Sequence, residues 1–249
     1  MKFPPIYYIN LEHRTDRNAH MQHLLSEYDV SGTRIPATNG NVGLESLASL
    51  VDALPADLTS NELACTISHL RAIQHWLETS RSEIAMICED DISFDAVKKW
   101  NFSWGDVMSS LPYYWDALQC CIIYHPEKEK IISLHHRTPY DFSAACYLIK
   151  RSYAEKLMSY YWNPVTRKWK LDYKTSFRFT SEETIFIPGV CLSMPLFTFT
   201  NEHGSDIQSQ DHLETWHSLS KKIHAVMWEK LPKMTNRSIL QMTPIIRFT

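Results

Sequence analysis

The chain has 249 residues, 44% hydrophobic and 21% charged, with a formal net charge of -3 at pH 7. That length suits one large domain, 1–249, with a substantial core. The mild acidity speaks against a general nucleic-acid or membrane-surface binder.

The stretch IYYINL (6–11) predicts a first strand, short and aromatic-rich, and HRTDRNAHMQHLLSEY predicts a helix with Met21, Leu24, Leu25 and Tyr28 on one face. GTRIPA reads as a second short strand ended by Pro36, and residues 38–59 as a surface excursion without clear period. Thr59-Ser-Asn-Glu62 has capping-box form and opens a helix striped by Leu63, Ile67, Leu70, Ile73 and Leu77. IAMIC follows as a wholly apolar strand. A helix feeding such a strand points to a parallel sheet covered on both faces.

DALQCCIIYH predicts another buried strand, and EKEKIISLHH half of an outward-reaching hairpin. SAACYLIK predicts a strand that enters a helix at Ser152-x-x-Glu155, with Ala154, Leu157, Met158 and Tyr161 inward. PVTRKWKLDYKTSFRF is polar and basic, and TIFIPGVCLSMPLF holds two apolar segments split at Pro188-Gly189. A last helix over 211–230 carries Leu213, Trp216, Leu219, Ile223 and Met227 as its stripe. The fold class is α/β, with a Rossmann-like, mostly parallel central sheet flanked by helices.

Cys65, Cys88, Cys120, Cys121, Cys146 and Cys191 sit in apolar stretches without C-x-x-C spacing and read as reduced core thiols. The N-terminal residues lack a signal-peptide core, and no apolar run approaches a membrane span, so the expected compartment is cytoplasmic.

The segment IAMICEDDISF places three carboxylates, Glu89, Asp90 and Asp91, at the end of a buried strand. Loops at the carboxyl ends of parallel strands are where open α/β sheets bind ligands. Three adjacent carboxylates there repel one another unless a cation neutralises them. Carboxylate oxygens are hard ligands suited to Mg2+ or Mn2+, which bridge to phosphate oxygens. A solvated acidic turn is the plainer account of an isolated triplet; the buried strand ahead of this one weighs against it.

Taken in order, YYINLEHRTDR, TRIPATNG, NELACTISHLRAIQHW and AMICEDDISF resemble the signature of glycosyltransferase family 25, which includes lipooligosaccharide glycosyltransferases and procollagen galactosyltransferases. WDALQCC, SAACYLIKRSYAEKL and NEHGSDIQ extend the resemblance across most of residues 6–207. Ala64 stands where the family commonly has Gly, and DFSAACYL lacks the Gly-Thr before its Ala.

The resemblance implies a GT-A-like fold that binds a nucleotide-diphosphate sugar, UDP-sugar first, with Mn2+ or Mg2+ at the diphosphate. The donor-binding part would span about 1–125 and the acceptor side about 126–249. It makes Asp91 the first metal ligand, with Glu89 on metal or ribose and His203 able to complete the sphere. Asn10, Arg14, Asp16 and Arg17 would flank the nucleotide, where an Arg can neutralise diphosphate or stack on a base. Arg34, Ser68, His69 and Asp90 would support the donor. Transfer with inversion to a hydroxyl of a glycan or glycoconjugate acceptor needs a carboxylate base. TSEETIF makes that base Glu182, with Glu183 and Asp172 as runners-up; a helix-start acidic pair is the competing account. A catalytically inactive binding module of the same fold is the alternative. A metal-dependent phosphohydrolase would need an Asp nucleophile with a phosphate-binding array, and none is visible.

Overall fold

The computed structural model describes residues 3–171, 178–200, 213–230, 236–242 and 247–248. In chain order, β1 (Ile6–Asn10) leads to α1 (Thr15–Glu27), β2 (Gly32–Pro36), the single turn α2 (Leu44–Leu47) and the long α3 (Ser60–Thr79). Then come β3 (Ile84–Glu89), β4 (Ile92–Ser93), α4 (Trp104–Ser110), β5 (Ala117–Gln119) and β6 (Ile123–Tyr124). β7 (Lys130–Ile131), β8 (His135–His136), β9 (Asp141–Phe142) and β10 (Cys146–Lys150) precede α5 (Arg151–Tyr161). β11 (Trp162–Asn163), β12 (Lys168–Trp169), α6 (Ser181–Phe186), β13 (Cys191–Ser193) and β14 (Thr198–Phe199) follow. α7 (Ser218–Lys230) and β15 (Arg247–Phe248) come last.

The central sheet has seven strands in the order β2-β1-β3-β10-β5-β13-β8. β1, β2, β3, β5 and β13 run one way, and β10 and β8 the other, so the expected mostly parallel sheet is present. Successive strand residues alternate between faces, and both faces are covered. Ile6, Tyr8, Met86, Cys88, Leu118 and Leu148 join Met21, Leu24 and Leu25 of α1 in one core. Tyr7, Ile9, Ala85, Ile87, Tyr147 and Ile149 join Leu63, Ile67, Leu70 and Ile73 of α3 in the other. This is why IAMIC is apolar at every position: the strand has no solvent face.

The start of α3 is fixed by its capping box. Thr59 Oγ1 accepts the Glu62 N–H at 3.2 Å, and the Glu62 carboxylate accepts the Thr59 N–H at 2.8 Å. Each bond satisfies a donor that the helix end leaves without an intrahelical partner.

Three expectations need correction. EKEKIISLHH is not half of a hairpin: β7 pairs with β15 and β8 with β13, because Ile132 and Leu134 turn inward and draw the segment onto the sheet edge. Residues 38–59 are not a free excursion. They form short helical turns, with Leu47, Val51 and Leu58 buried against the α3 side of the core. In the last segment, Leu213–His217 is a wide π-type turn and the regular helix begins at Ser218; residues 211 and 212 lie outside the described residues.

Candidate active site

β1 and β3 are parallel neighbours, and the chain leaves β1 for β2 on the opposite side. The sheet order therefore reverses between β1 and β3, and their carboxyl ends, Asn10 and Glu89, open the crevice where such sheets place ligands. The acidic triplet lies at this point. Its backbone is pinned on both sides: Glu89 N–H donates to Ala145 O at 2.8 Å, and Thr200 N–H donates to Asp91 O at 2.7 Å.

The three carboxylates take different environments. Asp90 is buried and fully engaged, accepting Asn10 Nδ2 and Arg17 Nη1 at 2.6 Å each. Arg17 also lies 3.6 Å from Asp91 Oδ2. Burial pulls the guanidinium's pKa down, but Asp91 and Asp90 together raise it above its ordinary value. Burial likewise lifts the Asp90 carboxyl, against the pull of Arg17 and Asn10.

Glu89 faces the other way. Burial would raise its pKa, yet the hydrogen bond and charge of His69, together with Arg17 and His217, hold it below the usual carboxylate value. His69 Nε2 is 3.3 Å from Glu89 Oε1, and its Nδ1 is 3.3 Å from the Tyr147 hydroxyl. Asp91 is the frustrated member: burial and the Glu89 charge push it up to about 7, with Arg17 opposing. Its Oδ1 is buried and has no hydrogen-bond partner among the described residues. A buried carboxylate oxygen left without a donor is costly, and a hard cation would satisfy it.

Two cavities meet at Cys65, Glu89 and Asp91. The smaller, about 90 Å³, lies between Ile9, Leu11, Arg17 and the 37–41 loop on one side and Asn61, Ala64, Ser68 and His69 of α3 on the other. The loop is held to α3 by Thr38 N–H donating to Ser68 Oγ at 2.8 Å, and Ser68 donates in turn to Ala64 O. Gly40 permits the approach: a Cβ there would lie 2.5 Å from the Asn61 Cα. The larger cavity, about 1020 Å³, is lined by Arg137, Ser143, Glu182, Glu183, Phe199 and His217 among others.

The sequence candidates separate accordingly. Arg17, Ser68, His69, Glu89, Asp90 and Asp91 line the smaller cavity. Asn10, Arg14, Asp16 and Arg34 line neither. Asn10 Nδ2 donates to Asp90 and to Arg14 O; Arg14 pairs with Asp16 at 3.0 Å; and Arg34 donates to Leu11 O and Glu12 O. Glu182 and Glu183 both line the larger cavity and both stand in the first turn of α6, capped by Thr180. Glu182 Oε1 accepts the Ser143 N–H at 3.1 Å, and its Oε2 accepts the Ser181 hydroxyl at 3.2 Å. Asp172 and His203 lie outside the described residues.

Other side chains here carry no sequence signal. Ser143 has φ +93°, a conformation that side chains rarely adopt and that concentrates at functional sites. Behind it Gln119, fully buried, donates through Nε2 to Asp141 O, Phe142 O and Ser143 O and accepts the Ser193 hydroxyl. His217 arrives from the far end of the chain against Phe199, ring centroids 4.7 Å apart. Cys65 lines both cavities; the other five cysteines are buried in the core, Cys191 among them also reaching the wall of the larger cavity, so the expectation of six core thiols holds for five. Cys65 and His69 stand four residues apart on one face of α3, the spacing at which helical side chains are neighbours.

The sequence model of the family described as glycosyltransferase family 25 (LPS biosynthesis protein) matches residues 3–173. Procollagen galactosyltransferase 1-B of Xenopus laevis is 29% identical over 107 residues, a match covering 38% of this chain and 17% of that protein. Among solved structures, A197 from STIV is similar at TM-score 0.46 and 10% identity, over 84% of this chain and all of that one. A glycosyltransferase involved in the glycosylation of the major capsid of PBCV-1 is similar at TM-score 0.38 and 11% identity, over 78% and 82% of the two chains.

Proposed function

The chain belongs to glycosyltransferase family 25, and from that membership we propose that it moves a sugar from a nucleotide-diphosphate sugar, UDP-sugar first, to a hydroxyl of a glycan or glycoconjugate acceptor, with inversion. The observation that carries this reading is the position of Asp91 and Glu89 where the two cavities meet, with Asp91 Oδ1 buried and unpartnered. Mn2+ or Mg2+ fits that oxygen-rich donor set, with Asp91 as first ligand and Glu89 as second. When bound, the ion supplies positive charge to the diphosphate leaving group.

The residues divide the work by position. The smaller cavity is too small to enclose a nucleoside diphosphate, so the nucleotide lies across its mouth, against the 37–41 loop and α3. The sugar then extends past Asp91 into the larger cavity, which has room for an acceptor. Arg17 is held within the triplet, where it sets the orientation of Asp90 and lowers the repulsion at Asp91. Glu182, oriented by Ser143 and Ser181, is the base that takes the proton of the acceptor hydroxyl as the glycosidic bond forms. No helix among the described residues is long and apolar enough to cross a membrane. The six free thiols fit the reducing cytoplasmic compartment that completes the proposal.

Asp91→Asn tests the reading. It keeps the shape and removes one anionic ligand, so transfer should fall by about 10² or more, and Mn2+-dependent binding of UDP by calorimetry should weaken with it. Near-normal turnover in this variant, or full wild-type activity in EDTA, would show the metal role to be wrong.

A further inference from the structure

Cys65, His69 and Glu89 each offer one ligand atom, and the three atoms lie within 4.8 Å of one another. Tetrahedral zinc with sulfur at about 2.3 Å and nitrogen or oxygen at about 2.0–2.2 Å needs ligand atoms roughly 3.4–3.6 Å apart. The His69 Nε2 to Glu89 Oε1 separation is already 3.3 Å. The Cys65 thiol, whose hydrogen bond to Ser181 Oγ is a long 3.7 Å, is the ligand that has to move to complete the site.

We propose that this trio is a second metal site, selective for thiophilic divalent ions such as Zn2+ or Co2+ and overlapping the hard-cation position at Glu89. The proposal rests on three features of the chain and shares Glu89 with the donor-site reading.

First, the donor atoms differ in kind from those of Asp91: a sulfur and an imidazole nitrogen favour Zn2+ and Co2+, whereas oxygens alone favour Mg2+ and Mn2+. Second, the imidazole is already braced. The Tyr147 hydroxyl beside Nδ1 can accept as well as donate, so it can take the Nδ1–H when Nε2 turns its lone pair to a metal. Third, three protein ligands leave a fourth position open, and Cys65 and Glu89 both line each cavity, so an ion has a route in. Binding displaces the Cys65 thiol proton to solvent and forms the metal–thiolate bond, with no change of oxidation state. An ion held here draws Glu89 away from Asp91, so Zn2+ should inhibit where Mn2+ activates.

The test uses the whole chain titrated with Co2+ and followed by near-ultraviolet absorption. A sulfur-to-cobalt charge-transfer band should grow to one equivalent in wild type and vanish in Cys65→Ser. It should persist in Asp91→Asn, which strikes only the oxygen site. Cys88, Cys120, Cys121 and Cys146 are fully buried, and Cys191, which also lines the larger cavity, is the second thiol an ion could reach, so a Cys191→Ser variant that keeps the band assigns it to Cys65. Zn2+ affinity, by competition against Co2+, should fall in Cys65→Ser by more than the 10–100-fold, roughly, that loss of an outer-shell partner costs. X-ray absorption on wild type loaded with Co2+ needs no variant and should show a sulfur neighbour; an all-oxygen shell would overturn the site. So would a band that survives in folded Cys65→Ser or is lost in Asp91→Asn. If the band behaves as expected but Mn2+-dependent UDP binding is absent, the donor-site reading fails and the thiophilic site stands. UDP binding without the band gives the reverse.

Discussion

Arg17→Met separates a structural cation from a substrate contact. Arg17 Nη1 sits 2.6 Å from Asp90 Oδ1 and 3.6 Å from Asp91 Oδ2, with the Arg17 and Asp90 side chains 9% and 7% exposed. Methionine keeps the apolar stem and deletes the charge, leaving the buried Asp90 and the half-buried Asp91 with no guanidinium. Removing one member of a buried pair costs about 3–5 kcal/mol, a large part of the roughly 5–15 kcal/mol that holds a native protein together. For a chain of this size that lowers Tm by about 6–20 °C.

The loss should depend on pH in a definite direction. Without Arg17 the folded-state carboxyl pKa values rise further, so the folded form binds protons more tightly than the unfolded chain. The deficit is then small below the ordinary carboxylate range and complete above the raised values. Adding Asp90→Asn to Arg17→Met should restore most of the loss, because the buried charge goes with its partner. Thermal unfolding of the metal-free protein from pH 4 to pH 8 measures all of this. An Arg17→Met variant within about 1 kcal/mol of wild type, with no rescue by Asp90→Asn, would refute the reasoning. If that variant also lost UDP affinity, Arg17 would be a diphosphate ligand instead.

Other consequences are as direct. Glu182→Gln should lower kcat by about 10²–10⁴ with UDP-sugar affinity nearly unchanged; Glu183→Gln and Asp172→Asn are the comparison, and whichever is inactive holds the base. Asp91 has a folded pKa of about 7 against an ordinary 3.8. Its contribution therefore favours the folded state below the ordinary value and is lost as pH climbs through 7. Added Mn2+ should flatten that slope in thermal unfolding, and Asp91→Asn should lack it. Gln119→Leu removes the amide donor of Phe142 O and Ser143 O, whereas Asp141 O keeps Arg137, and a buried carbonyl left without a donor costs about 1–3 kcal/mol. It should lower stability by at least about 2 kcal/mol and reduce kcat more than UDP-sugar affinity, since the disturbed loop carries Ser143 to Glu182.

The sequence alone determined what repeats locally or acts over a few residues. The capping box at Thr59, the Leu63–Ile73 stripe and the unbroken apolarity of IAMIC each follow from interactions within a helical turn or a strand, and each is where the pattern puts it. The triplet at the end of β3 was legible for the same reason: three adjacent charges after a buried strand need compensation wherever the chain goes. Tertiary structure decided which charges compensate them. Asn10 and Arg17 had the right chemistry for a phosphate, but the parallel pairing of β1 with β3 brings both onto Asp90, 73 to 80 residues away in sequence, whose carboxylate accepts Asn10 Nδ2 and Arg17 Nη1. Pairing across such distances leaves no periodic trace. For the same reason Gln119, the strained Ser143 and His217 carry no local signal. Cys65 looked like one more core thiol because its neighbours are apolar; only the packing of α3 against the end of β3 turns its sulfur toward Glu89 and His69.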